Sequence, residues 1–91
     1  MHTLPAEVVP YKRTPEFSQD TIPAGLLRRH TTREDTWARI HVLEGQLLYR
    51  ILEPSIEEHL LRPEAPGIVA PGVPHEVEPR GEVRFFVEFL R

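Results

Sequence analysis

The chain has 91 residues, among them ten prolines, five glycines and no cysteine, and a formal net charge of −3. That length holds one domain, residues 1–91, and the mildly acidic balance argues against nucleic acid as a partner, since non-specific binders rely on basic surface. No apolar run approaches the roughly 20 residues of a membrane helix, and without cysteine there is no disulfide, thiolate ligand or thiol nucleophile.

Residues 1–20, interrupted by Pro5, Pro10 and Pro15, predict an extended amino-terminal arm with at most an edge strand, and His2 is expected to be disordered there. The first residues lack the basic-then-apolar layout of a signal peptide, so a cytoplasmic protein is expected. Residues 26–30 predict a strand running into a polar loop over 31–36. Residues 37–43 and 46–52 are rich in strand formers and flank Glu44-Gly45, which predicts a hairpin. Short strands follow at 56–61, 67–70 and 75–78, closed by Pro63, by Pro71-Gly72-Val73-Pro74 and by Pro79-Arg80-Gly81. In the last strand, 82–90, Val83, Phe85, Val87 and Phe89 alternate with Arg84, Phe86, Glu88 and Leu90. Many short strands at close intervals predict an all-β sandwich or barrel. Phe86 and Leu90, on the second face of the last strand, offer a surface for a homodimer.

Of the five histidines, His75 has the most constrained setting. A rigid Pro-Gly-x-Pro turn ahead of it fixes the direction of its imidazole, as a metal or a buried ligand requires. Gly67-x3-Pro71-x3-His75 resembles the second motif of the cupin superfamily. In the first cupin motif two histidines on a strand precede a carboxylate and then a Val-Leu-x-Gly turn. Here the turn is Val42-Leu43-Glu44-Gly45 and His30 matches the second histidine, but Arg28 replaces the first and Trp37-Ala38 fall where the acid belongs. Two imidazoles alone hold zinc or iron weakly. His41 becomes a third ligand if the Trp37 side of its strand faces inward, and a surface residue if Ala38, Ile40 and Val42 do; Glu88 is a further candidate. His59 reads as a solvated strand residue. Arg28, Arg29, His30 and Arg33 form a basic cluster that suits a planar oxyanion at the mouth of the site, with Arg28 the candidate ligand-binding side chain.

Taken in order, Tyr11-Lys12 with Thr14-Pro15, Pro23-Ala24-Gly25-Leu26-Leu27, His30-Thr31-Thr32, the run from Thr36 to Leu47 and Pro74-His75-x-Val77-Glu78 resemble the TehB/YeaR-like domain, a small cupin-like family. The resemblance spans nearly the whole chain. It implies a double-stranded β-helix (jelly-roll) barrel with a site at its mouth near His30 and His75. Relatives occur alone or fused to an S-adenosylmethionine-dependent methyltransferase associated with tellurite resistance, and no Gly-rich nucleotide loop for such an activity is present here. The resulting expectation is a cupin-like domain that binds a divalent metal (Zn, or Fe, Ni or Mn) or a small anion at the barrel mouth, in tellurite or oxyanion stress. The incomplete ligand set leans against catalysis. A metal-dependent oxygenase or isomerase and a structural homodimer module are the alternatives.

Overall fold

Six strands form one antiparallel sheet in the computed structural model, which describes residues 1–91. They are β1 (Pro10–Arg13), β2 (Phe17–Ser18), β3 (Trp37–Ile51), β4 (Glu57–Leu61), β5 (Gly67–Val69) and β6 (His75–Leu90), with a 3-10 turn at Ala24–Leu27. The chain is thus all-β, as expected.

Two long strands organise it. The first half of β3 pairs with the second half of β6, Trp37 opposite Leu90 through Val42 opposite Phe85. The second half of β3 pairs with the first half of β6, Gln46 opposite Arg80 through Ile51 opposite His75. Beyond this central pair, β5 flanks the first half of β3 and β4 its second half, while β1 and β2 line the second half of β6. The inward positions change parity along β3: Ala38, Ile40 and Val42 are buried in its first half, Leu47, Tyr49 and Ile51 in its second. A period-two strand changes face only by taking up an odd residue. The register shifts between Val42 and Gln46 supply it. Gly45 makes the bend, with φ +78 and no room for a Cβ, which would lie 2.0 Å from the Glu82 carbonyl oxygen. Side chains from both halves, with Leu61, Val69, Val77, Val83, Phe85 and Val87, join in a single core.

Several sequence expectations are corrected. Glu44-Gly45 is a bulge within one strand, because each flanking segment pairs with β6 rather than with the other. Pro79-Arg80-Gly81 does not separate two strands: at Pro79, β6 is paired only on its β3 side, so the missing N–H costs no ladder bond. Residues 26–30 form no strand; the 3-10 turn ends at Leu27. The arm is tied down at its start, where the Met1 ammonium pairs with Glu57 and His2 meets Trp37 edge-on at 6.2 Å. Leu90 is buried, because β1 pairs beside it and Val9 bonds reciprocally to Arg91. Phe86 is covered within the chain by the Arg13 guanidinium and the His41 ring.

Candidate functional site

His30 lies in no strand, yet its backbone exchanges two hydrogen bonds with the first residue of β6. The His30 N–H donates to the His75 carbonyl at 2.7 Å, and the His75 N–H to the His30 carbonyl at 2.8 Å. Residues paired in this way stand directly opposite, with side chains on one side of the sheet. The two imidazoles accordingly meet edge to face, 5.4 Å between centroids.

His75 is held from two directions. Its Nδ1 lies 2.9 Å from the Val73 carbonyl, inside the proline-bracketed turn. A carbonyl only accepts, so Nδ1 carries the proton and the neutral ring keeps its lone pair on Nε2. No buried side-chain nitrogen or oxygen lacks a partner; Nε2, which bonds to nothing in the chain, is therefore not sealed in the interior, and His75 lines the adjoining cavity. Tyr49 packs against the ring at 5.8 Å, itself anchored by donating to the Ile68 carbonyl at 3.0 Å. Burial pushes the His75 pKa below the usual histidine range; the Val73 carbonyl opposes the shift and nearby His30 adds to it.

Both histidines line a cavity of about 50 Å3 whose other walls are mostly apolar, including Ala38, Ile40, Val77, Phe85 and Val87. That is room for about four water-sized groups. His30, Thr32 and Phe89 also border a second, open cleft of about 320 Å3. Lys12, Arg33 and Arg91 line this cleft with Tyr11, Thr31 and Thr36, and no aspartate or glutamate does. The Arg91 guanidinium lies 4.1 Å over the Tyr11 ring. Thr32 ties the loop to the turn that aims His75, its Oγ1 accepting the Gly72 N–H at 3.3 Å. A cationic cleft thus adjoins, at His30, Thr32 and Phe89, a small and mostly apolar chamber lined by both imidazoles.

The other predicted residues lie elsewhere. Arg28 is exposed and lines neither space, and Arg29 pairs with Glu53; Arg33 alone of that arginine group reaches the cleft. His41 points away from the core because Ala38, Ile40 and Val42 occupy the inner face. Its Nε2 lies 3.0 Å from Glu88 Oε1, which also accepts from Arg39 at 2.8 Å, and its ring stacks on Phe86 at 4.8 Å. The His41 hydrogen bond, then Arg39, hold the Glu88 carboxyl below its usual range. His41 and Glu88 are therefore remote from the His30–His75 pair, and nowhere do three or more His, Asp or Glu side chains gather as a metal cluster. His59 sits on β4, bonded to Glu57 at 2.7 Å. No helix is long and apolar enough to cross a membrane.

Sequence reading missed the contributions of Tyr11, Lys12, Thr36 and Arg91. Tyr11, Lys12 and Arg91 reach the cleft because β1 pairs alongside the end of β6, a pairing that no local spacing records, and Thr36 does so from the loop ahead of β3.

Comparison with known proteins agrees with this architecture. The chain is 34% identical over 76 residues to the probable S-adenosyl-L-methionine-dependent methyltransferase TehB of Haemophilus influenzae strain Rd, across 79% of this chain and 27% of that protein. Identity to the TehB of H. influenzae strain 10810 is 32%, with the same coverage. The chain therefore corresponds to a minor part of these relatives. Among solved structures, a protein from E. coli strain K12 superposes with a TM-score of 0.88 at 22% identity, over 100% of this chain and 97% of that one. TehB from H. influenzae superposes with a TM-score of 0.85 at 29% identity, over 93% of this chain and 32% of that one. Residues 12–87, which hold both histidines and nearly every strand, match the TehB-like domain model, and the chain belongs to that family.

Proposed function

We propose that this domain binds a small anion, its charge in the cleft and its remainder in the chamber that His30 and His75 line. The observation that carries this reading is the cleft itself: three cationic side chains, three threonines and a tyrosine with no carboxylate among them. Guanidinium and ammonium groups sharing a cleft whose lining holds no acidic side chain favour an oxyanion or carboxylate, and the Thr31 hydroxyl adds a neutral donor while that of Thr36 is committed to the neighbouring Asp35. A role in handling oxyanions such as tellurite is part of this proposal and rests on the family kinship. So does the finer description of the fold as a cupin-like double-stranded β-helix, which the two bent strands and their shared core support. Calorimetric titration with phosphate and sulfate tests the reading. Binding should weaken at least tenfold in Lys12→Ala/Arg33→Ala and fall as salt rises. Unchanged affinity in that variant refutes it.

One observation favours a second reading, a divalent metal. The Val73 carbonyl orients His75 as carbonyls orient metal-ligating histidines, leaving Nε2 free to coordinate. His30 and His75 would supply two ligands, with water or a bound anion completing the set. Metal content of protein purified without added metal, compared with His30→Ala and His75→Ala, decides it; equal content in all three sinks it.

A further inference from the structure

Resting on the anion reading, we propose that the ligand is a short-chain hydroxy acid, with its carboxylate in the Lys12–Arg33–Arg91 cleft, its hydroxyl donating to His75 Nε2 and its hydrocarbon in the apolar chamber. Three features of the site require the three parts. The cleft is lined by three cationic side chains and no acidic one, so it favours an ionised oxygen. The chamber offers the reverse at His75. His75 Nδ1 is committed to the Val73 carbonyl, so Nε2 can only accept, and the group that meets it must bring a hydrogen. A bare carboxylate there would set lone pair against lone pair. Most of the remaining wall, including Ala38, Ile40, Val77, Phe85 and Val87, is apolar and suits methyl or methylene groups, and the Thr14 and Thr32 hydroxyls that also line it are engaged with the backbone.

Size limits the chain. About four water-sized groups fill the chamber, so the part of the ligand inside it is limited to about four non-hydrogen atoms. A protonated inorganic oxyanion brings a donor too, but it would place its remaining oxygens against apolar walls.

The test compares ligands on the unaltered protein. Lactate and 3-hydroxybutyrate are titrated by calorimetry at pH 7.5 against propionate and butyrate, which lack the hydroxyl, and 2-methoxypropionate, which keeps the oxygen but not its hydrogen. Inorganic phosphate is the reference anion. At least one hydroxy acid should bind tenfold or more tightly than its deoxy or methoxy counterpart and more tightly than phosphate. His75→Asn should weaken that preference, because its amide nitrogen can replace Nδ1 towards Val73 while its oxygen, on a shorter side chain, falls short of the Nε2 position. Equal binding of hydroxy, deoxy and methoxy acids overturns the hydroxyl assignment and leaves the anion site standing. Tighter binding of phosphate than of every acid overturns the organic ligand. Failure of all these anions to bind at millimolar concentration overturns the anion reading with it.

Discussion

Replacing Gly45 by alanine should damage this fold far more than the same change at two other glycines of like conformation. Gly45, Gly72 and Gly81 have φ of +78, +71 and +75. Alanine in the left-handed region costs roughly 1–2 kcal/mol at any of them. At Gly72 and Gly81 nothing lies within 4 Å of an added Cβ, so that cost stands alone. At Gly45 the Cβ would lie 2.0 Å from the Glu82 carbonyl oxygen and 3.2 Å from the Val83 Cα, both backbone atoms of β6. No rotamer relieves that contact. The two long strands must separate where they bend, at a cost of about 1 kcal/mol for each ladder bond weakened. We expect a loss of about 3 kcal/mol or more for Gly45→Ala, against about 1 kcal/mol for Gly81→Ala, in a domain whose whole stability is on the order of 5–14 kcal/mol. Urea unfolding followed by circular dichroism and by the fluorescence of Trp37 measures all three variants. If Gly45→Ala falls within about 0.5 kcal/mol of Gly81→Ala, the close approach is not what shapes the bend.

Stability should also depend on pH through His75. Its folded pKa is lowered by burial, so the unfolded chain takes up the proton first. The contribution is fully present above the unfolded value of about 6.5 and is lost as pH falls towards and through the folded pKa; the difference between wild type and His75→Phe should shrink over that window, and a flat difference contradicts it. Tyr49→Phe removes the donor to the Ile68 carbonyl and should cost about 1–2 kcal/mol in urea unfolding with little change in the near-ultraviolet spectrum. Glu88→Gln weakens the Arg39 and His41 contacts on the outer face and should leave phosphate affinity unchanged; a tenfold loss would mean that His41 and Glu88 communicate with the cleft after all.

The fold class was legible because alternation survives in β6, where Val83, Phe85 and Val87 are buried. The bend is written in β3 as a change of phase: positions facing the core run even through Ala38, Ile40 and Val42, then odd through Leu47, Tyr49 and Ile51. A change of phase without an intervening loop is what a bulge leaves in a sequence. A glycine between two strand-like segments fits a hairpin equally well until the partner of each segment is known. Of the site, the pairing of His30 with His75 and the role of the Pro71–Pro74 turn were within reach of motif spacing. Arg28 was read as its cationic member because it lies beside His30 in sequence, but the residues after the 3-10 turn carry Arg28 out into solvent while Arg33 lines the cleft. Lys12 and Arg91 depend on the pairing of β1 with β6, a long-range register that no local pattern encodes.

The most direct test of the site is to titrate isotopically labelled protein with inorganic phosphate and lactate and map the amide shifts. The cleft reading predicts that the largest changes fall on Lys12, His30, Thr31, Thr32, Arg33 and Thr36, and that they vanish in Lys12→Ala/Arg33→Ala. Changes centred instead on Arg50 or Arg84, cations already paired with glutamates on other parts of the sheet, would contradict it.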